Sequence, residues 1–267
     1  MRPDRLPARG QEQAALARLR ARPVNFDPRR RKEFTPGLGW HLDDLRQPLP
    51  TEPPGDPVAG STWATARSLM QGYDFADPSI VRAWYEPDEP LEARTMLLEL
   101  RFWGLRFRVG VRVAEVYDEE REVRGRPVRV WGWAYQTLEG HLEMGQMNWE
   151  VWKWLDSGEV AFRIHAFSRP APIPNPLVRL GFRLFGRREQ LRFLRSTSER
   201  MLRLTEAALA GGPDAPERVR RTAEALTAKR AGGAAEAHYR LAGNVERAGR
   251  GATPAPAPRE GGRGRRD

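Results

Sequence analysis

The chain contains no cysteine among its 267 residues, and this absence excludes several kinds of site at once. Disulfides, thiolate metal sites and cysteine nucleophiles all require a thiol. Histidine is also scarce, because only His41, His141, His165 and His238 occur, far apart and without the H-x-x-x-H spacing of metal ligands. We therefore expect no metal site and no cofactor.

Long hydrophobic runs are missing as well. No stretch of 18 or more uncharged apolar residues occurs, so the sequence predicts no transmembrane helix. The charged opening MRPDRLPARG lacks the apolar core of a signal peptide. The phosphate-binding loop of nucleotide hydrolases and the G-x-G-x-x-G run of dinucleotide-binding proteins are absent too. We expect a cytoplasmic protein that does not hydrolyse nucleotides.

The net charge of +10 is concentrated towards the C-terminus. Residues 210–267 carry 12 basic and 7 acidic side chains, which is half of the excess, and they close in a low-complexity run. A short helix over residues 217–229 has too little apolar surface to form a core. We predict a basic, largely disordered tail over 210–267. Such a tail can contact nucleic acid or an anionic membrane surface, or it can simply reflect an arginine-rich composition.

Proline divides the rest of the chain into two parts. Residues 1–59 are predicted as a Pro-rich N-terminal arm, with one short helix near residues 11–22 and irregular chain after Pro23. Trp40 and Leu42 either pin this arm onto the domain or leave it free. Residues 60–209 carry the apolar patterning of one folded domain.

Within that domain the pattern predicts strands followed by one long helix. Asp77 and Pro78 favour the start of a helix that runs to Trp84. Period-two alternation then predicts strands, and a charged turn is expected over 118–126. The predicted strands are 95–101, 107–113, 128–135, 147–154 and 160–167.

The last predicted element is an amphipathic helix from Pro176 to Leu209, with a possible break at Gly181 or Gly186. It is the only element large enough to cover the apolar face of the sheet. The fold class is therefore α+β, a curved antiparallel sheet wrapped around a long C-terminal helix. The helix either leaves a cavity above the sheet or packs tightly on it.

One stretch goes beyond patterning. Residues 132–145, GWAYQTLEGHLEMG, are followed by the run AFSRPA at 166–171. These runs resemble domain-of-unknown-function family 1990, whose members carry G-F-A-Y-G-T-L-x-G-H-x-E-x-G-E and then A-F-S-R-P-A. The resemblance covers about residues 60–205. In two places the chain departs from the family, because Gln136 stands where glycine is usual and Gln146 where an acid is usual.

The resemblance implies a START-like helix-grip fold, in which a curved sheet surrounds a long C-terminal helix. Many proteins of that superfamily bind apolar ligands between sheet and helix, and some are cyclases or hydrolases. If the acid usual at position 146 were catalytic, Gln146 could not replace it as a general base. The family implies a fold and a pocket but no reaction.

The candidate catalytic residues are His141 and Glu143. A histidine near neutrality beside a carboxylate is typical of a general base. The alternative is a structural turn, since Gly140 and Gly145 bracket the pair and an imidazole can bond to the backbone.

The candidate ligand-binding residues are mostly aromatic. Nine tryptophans occur in the chain, and alternation places Trp131, Trp133 and Tyr135 on one face of a strand. Trp149 is assigned to one face of the next strand, and Trp152 and Trp154 to the other. These rings line an apolar pocket, fill a core or stack on bases. Two polar residues complete the set, Arg163 and His165; they face solvent, or they line the pocket and bind an anionic head group.

Three hypotheses of function follow. The first is a domain that binds an apolar or amphipathic small molecule between sheet and helix. The second is an enzyme of the cyclase or hydrolase type that uses His141 with Tyr135 or Glu143. The third is an adaptor whose Arg-rich helix and basic tail contact an anionic partner, either nucleic acid or a membrane surface.

Overall fold

The computed structural model describes residues 10–102, 105–211 and 215–232, and its centre is a curved, unclosed sheet of seven antiparallel strands. In space the strands follow the order β1-β7-β6-β5-β4-β3-β2, so β1 and β2 are the two edges. Their bounds are β1 His41–Leu49, β2 Val81–Trp84, β3 Thr95–Phe102, β4 Leu105–Val123, β5 Arg126–Thr137, β6 Glu143–Trp154 and β7 Val160–Pro170.

Five α-helices accompany the sheet within the described residues. Three 3-10 turns occur as well, at Arg31–Glu33, Pro36–Leu38 and Leu91–Ala93, and a single π turn at Phe182–Gly186 joins α3 to α4. The α-helices are α1 Gln11–Arg20, α2 Thr62–Gln71, α3 Pro176–Gly181, α4 Arg187–Leu209 and α5 Ala215–Gly232.

Helices α2 and α4 cover one face of the sheet, here called the inner face. Alternation along β5, β6 and β7 sends every second side chain towards these helices, and the chain buries its largest apolar cluster there. Helix α4 contributes Leu194, Met201 and Leu204, each fully buried, and α2 contributes Ala66 and Met70. The predicted fold class, a curved antiparallel sheet around a long C-terminal helix, is confirmed.

The long helical segment begins and changes pitch where the sequence predicts. Asn175 accepts hydrogen bonds from the amides of Leu177 and Val178, and Pro176 occupies the first turn. The π turn coincides with the break expected at Gly181 or Gly186. Helix α5 then packs on α4 and buries Ala223, although its sequence predicts too little apolar surface for a core.

The helix expected from Asp77 to Trp84 is wrong. Asp77 instead closes a short turn, in which its side chain accepts from the amide and hydroxyl of Ser79. The chain then enters edge strand β2, where Val81 pairs with Leu100 of β3. A cap followed by proline is compatible with either outcome, and the vacant edge of β3 decides for the strand.

The charged turn expected over residues 118–126 is also shorter than predicted. Strand β4 continues to Val123, and the turn itself is confined to Arg124 and Gly125, which both have positive φ angles of 53° and 76°. This backbone is typical of a tight hairpin. Cross-strand ion pairs stabilise the charged strand, as between Arg129 and Asp118 at 2.6 Å.

The segment predicted as a Pro-rich arm supplies a strand and a helix to the fold. Strand β1 pairs with β7 and tolerates Pro48 because it is an edge strand. Helix α1 packs on the outer face of the sheet, where Leu16 and Leu19 bury against Trp84, Leu97 and Leu138. Residues 1–9 and most of the predicted tail, 212–214 and 233–267, lie outside the described residues, so the tail's disorder stays a prediction.

Candidate functional site

Four aromatic side chains that the sequence singles out come together on the inner face. Trp131, Trp133 and Tyr135 point inward from β5, and Trp149 points inward from β6. The ring of Trp149 lies 6.5 Å from Trp133 and 6.1 Å from Tyr135, measured between centroids. Trp152 and Trp154 lie on the opposite face of β6, as the alternation predicts.

A further aromatic residue of this cluster, Tyr73, has no signal in the strand pattern of the sequence. Its ring centroid lies 6.1 Å from Trp133 and 6.5 Å from Trp149. Tyr73 follows α2 at a position that favours glycine, and its φ angle is 57°. A bulky residue in this left-handed conformation costs about 1–2 kcal/mol, which the burial of the ring offsets. Only the tertiary contacts identify this residue.

Several polar atoms in this interior lack hydrogen-bond partners. The indole Nε1 atoms of Trp133 and Trp149 and the hydroxyls of Thr197 and Ser198 are buried, and no described residue bonds to them. Thr197 shares the sheet-facing side of α4 with Leu194 and Met201. Each such atom costs about 1–3 kcal/mol of stability, because burial removes its hydrogen bonds to water.

The aromatic cluster also brings two tyrosine hydroxyls together, those of Tyr73 and Tyr135. Burial raises the pKa of Tyr73 and of Tyr135 well above the usual tyrosine value, and the two hydroxyls influence each other. The Tyr135 hydroxyl lies 3.5 Å from the sulfur of Met147, and no described residue accepts an ordinary hydrogen bond from Tyr73. Both phenols therefore stay protonated at neutral pH and can donate to a ligand.

A polar cluster closes one end of the interior, where β6 begins and α4 begins. Asp43 of β1 holds Arg187 of α4 through two contacts of 2.6 Å. Gln190, one turn further along, donates to the hydroxyl of Ser168 at 2.8 Å and reaches Glu143 at 3.5 Å. These bonds fix the start of α4 over the sheet and place one carboxyl group, that of Glu143, at the end of the aromatic cluster.

Glu143 is the side chain of this cluster whose charge is most perturbed. Burial raises the pKa of Glu143 to about 7, Arg187 opposes the rise, and Asp43 adds to it. Glu143 also contributes to the raised pKa of Tyr135, so the two side chains are electrostatic neighbours. A carboxyl group with a pKa near neutrality can donate or accept a proton under physiological conditions.

His141 lies in the connection between β5 and β6 and has a different environment. Its Nδ1 accepts a hydrogen bond of 2.9 Å from the amide of Glu143. Burial lowers the pKa of His141 to about 4, so the imidazole is neutral near pH 7 and carries its proton on Nε2. Neither ring nitrogen of this tautomer is a free base, which favours the structural-turn alternative for His141.

Other residues of the run QTLEGHLEMG, 136–145, also hold the connection between β5 and β6 in place. Thr137 accepts from the amide of Gly145 at 2.9 Å and donates to Asn25 at 2.6 Å. Gly145 has a φ angle of 156°, and a side chain there would collide with the backbone of Phe167 on β7. Arg22 bonds to the carbonyl of Glu139, so the N-terminal segment lies against this connection.

Arg163 and His165 do not join the inner cluster. Both alternate with the inward side chains of β7 and lie on the outer face, where Arg163 pairs with Asp44 at 2.8 Å. Burial lowers the pKa of His165, and the charge of Arg163 lowers it further. Of the two orientations expected from the sequence, Arg163 and His165 therefore have the one that points away from the inner face.

The two departures from the family pattern also lie on the outer face. Gln136 donates to Gln146 at 2.9 Å, and Gln146 donates to Asn148 at 3.0 Å. Position 146 therefore points away from the inner aromatic cluster. The loss of an acid at this position removes no carboxylate from the interior.

No cluster of three metal-ligating side chains occurs among the described residues. Within the same part of the chain, every helix is too short or too polar to cross a bilayer.

Comparison with solved structures finds several distant similarities. The chain is similar to ginseng major latex-like protein 151 from Panax ginseng, with 11% identity, coverage of 60% of this chain and 93% of that chain, and a TM-score of 0.35. It is similar to the Zhui aromatase/cyclase from Streptomyces sp. R1128, with 14% identity, 64% and 99% coverage, and a TM-score of 0.37. A START superfamily protein from Mycobacterium smegmatis gives 14% identity, 61% and 97% coverage, and 0.32. Similarities this distant carry no argument about ligand or reaction.

None of the curated proteins compared with the chain matches it. A family model does match, over residues 25–192, and this range begins before β1 and ends within α4. It therefore contains the whole sheet, the β5–β6 connection and the polar cluster around Glu143. The match spans well over half of the chain, so the chain belongs to the family described as Domain of unknown function (DUF1990).

Proposed function

We propose that this chain binds an amphipathic small molecule between the inner face of the sheet and helix α4. One observation carries the proposal: the Nε1 atoms of Trp133 and Trp149 are buried donors with no partner among the described residues. Folded proteins pair nearly all buried polar groups, because an unpaired one loses its hydrogen bonds to water. A ligand oxygen that accepts from both indoles removes this cost.

The surrounding side chains limit the chemistry of the ligand. Its body is apolar or aromatic, since the rings of Phe75 and Phe162 pack against that of Trp149, one of the two donors. Its polar atoms include hydrogen-bond acceptors, because indole and phenol groups both donate there. A neutral carbonyl or hydroxyl suits this site better than a carboxylate, since ionised Glu143 would repel a second anion.

The test is native mass spectrometry of the full chain purified from its host, followed by organic extraction. We expect a stoichiometric mass of lipid-like or aromatic character. The double variant Trp133→Phe/Trp149→Phe removes both donors and is expected to lower retention at least tenfold, about 1.4 kcal/mol or more.

Trp152→Phe is the matched control on the same strand. Its indole donates to Glu150 at 2.8 Å on the outer face, so the control is expected to retain the ligand. An empty wild-type protein would count against the proposal. Equal loss in the control and the double variant would mean that general destabilisation, rather than the inner donors, determines retention.

A second proposed function is an enzyme of the cyclase or hydrolase type, and the observation that favours it is the buried Glu143, whose pKa burial raises to about 7. In such a reaction Glu143 donates a proton to the substrate or accepts one from it, beside the Tyr135 hydroxyl. His141 then only shapes the connection between β5 and β6. This reverses the roles expected from the sequence.

Once the extracted molecule is known, its conversion is measured by mass over time. Glu143→Gln is expected to abolish turnover while the molecule still binds. A His141→Gln variant that still folds is expected to retain turnover. Turnover that survives Glu143→Gln would exclude this second function and leave the binding proposal intact.

A further inference from the structure

Three leucines form an exposed stripe along the helix that enters α4. Leu177 and Leu180 of α3 and Leu184 of the π turn are 79%, 54% and 64% exposed. Their spacing of three and four residues puts them on one side of the helix. We call Leu177, Leu180 and Leu184 the leucine ridge. Large apolar side chains scattered singly on a surface are ordinary, but a continuous ridge indicates a contact.

The opposite side of the same helix is apolar as well. Val178 and Phe182 are partly buried and pack against the main core. The helix therefore already contacts the core through Val178 and Phe182, and the leucine ridge lies on the side that faces away from the core. Asn175 caps the helix and Pro176 sits in its first turn, so the ridge is carried by a well-formed start.

The charge around the leucine ridge has a single sign. Residues 160–188 contain six arginines and no Asp or Glu. Arg179, Arg183 and Arg188 are exposed beside the ridge. Within the described part of the chain no carboxylate forms an ion pair with these three arginines. An apolar stripe flanked by unpaired cations is typical of helices that lie in the interface of an anionic bilayer.

We propose that the leucine ridge and its flanking arginines dock this chain onto an anionic membrane surface. The leucines enter the boundary between headgroups and acyl chains, and the arginines contact the lipid phosphates. A symmetric contact between two copies through the ridge would bring like charges together, which disfavours it. A nucleic acid would pair with the arginines but leave the leucines in water. The inference does not depend on the ligand proposal.

The test is co-sedimentation of the full chain with two kinds of vesicle, phosphatidylcholine alone and phosphatidylcholine with phosphatidylserine. We expect binding to the second kind, weakening as salt is added. Leu180→Ser/Leu184→Ser removes apolar contact, and Arg179→Gln/Arg183→Gln removes charge. Each double variant is expected to lower the vesicle partition coefficient about tenfold or more.

The control variants carry the same kinds of substitution at positions outside the leucine ridge. Leu105→Ser alters an equally exposed leucine on the hairpin between β3 and β4, and Arg203→Gln alters an exposed arginine near the far end of α4. Both are expected to bind as the wild type does. Binding that is equal on both vesicles, or that survives both double variants, would overturn the proposal. A dimer that light scattering detects and that the leucine variants dissociate would also overturn the proposal.

Discussion

Glu143 and His141 are two half-buried titratable residues whose effects on stability have opposite signs. The pKa of Glu143 is about 7 when folded and 4.5 by its ordinary value, so the folded chain keeps a proton that the unfolded chain has lost in that window. Its contribution is present at low pH and is lost as pH rises through 7. The pKa of His141 falls from 6.5 to about 4, so its contribution is lost on acidification.

Single substitutions should separate the two effects. Glu143→Gln leaves the histidine alone, and the free energy of unfolding should then fall more steeply than in the wild type as pH decreases from about 6.5 to 4. The difference is expected to reach about 1–2 kcal/mol, discounted for partial exposure. Urea titrations across this window measure it. Glu139→Gln, exposed in the same connection, is the control and should follow the wild type.

Two buried threonines should respond oppositely to the same substitution. Thr137→Val removes the hydroxyl that accepts from the Gly145 amide and donates to the Oδ1 of Asn25, and should destabilise the chain by about 2 kcal/mol. Thr197→Val removes a hydroxyl that no described residue bonds, and should leave the ligand-free protein unchanged or more stable by up to about 1 kcal/mol. Chemical denaturation compares them, and equal losses would argue against an unpaired Thr197.

At the scale of elements, one arginine joins three segments. Arg200 of α4 is 2% exposed and donates to the carbonyl of Asp74 after α2 and to that of Ala223 in α5, both at 2.9 Å. The Arg200 guanidinium thus bridges backbone carbonyls that the end of α2 and helix α5 bring to it. This explains how α5 stays on the fold with few apolar residues of its own.

Arg200→Met should therefore destabilise the chain by about 3 kcal/mol, because two buried carbonyls lose a charged donor. Arg203→Met is the matched control on the same helix, where the side chain is half exposed and pairs with the exposed carboxylate of Glu206. It should change stability by less than about 1 kcal/mol. Hydrogen exchange should show faster exchange across residues 215–232 in the first variant alone. Unchanged protection there would mean that α5 is held by other contacts.

At the scale of the whole molecule, a bound ligand and folding are linked. A molecule that contacts both the sheet and α4 binds the folded state only, so it stabilises by an amount that grows with the logarithm of its concentration. Protein stripped by organic solvent and refolded should melt below the untreated protein. Adding back the extracted fraction should restore the melting temperature. At a ligand concentration one hundred times Kd, the expected gain in the free energy of unfolding is about 2.7 kcal/mol. Calorimetry measures this, with Trp133→Phe/Trp149→Phe expected to gain little.

Much of the fold could be predicted because its strands alternate strictly. Period two places Trp131, Trp133 and Tyr135 on one face of β5 and separates Trp149 from Trp152 and Trp154 on β6, and the structure has these arrangements. The helix at 77–84 failed because Asp77 and Pro78 are equally suited to a turn, and sheet pairing with β3 decides. The irregular chain expected after Pro23 failed in part because proline is tolerated on an edge strand such as β1.

The sequence by itself determined the class of the fold, the long C-terminal helix and which aromatic side chains share a strand face, because these follow from local periodicity. Tertiary structure alone decided the site. Tyr73 joins the aromatic cluster through a backbone conformation that no local pattern predicts, and Arg163 faces away from it. The pKa values of His141 and Glu143 shift in opposite directions because desolvation disfavours the charged form of each group, and residues distant in sequence, Asp43 and Arg187, add to the environment of Glu143.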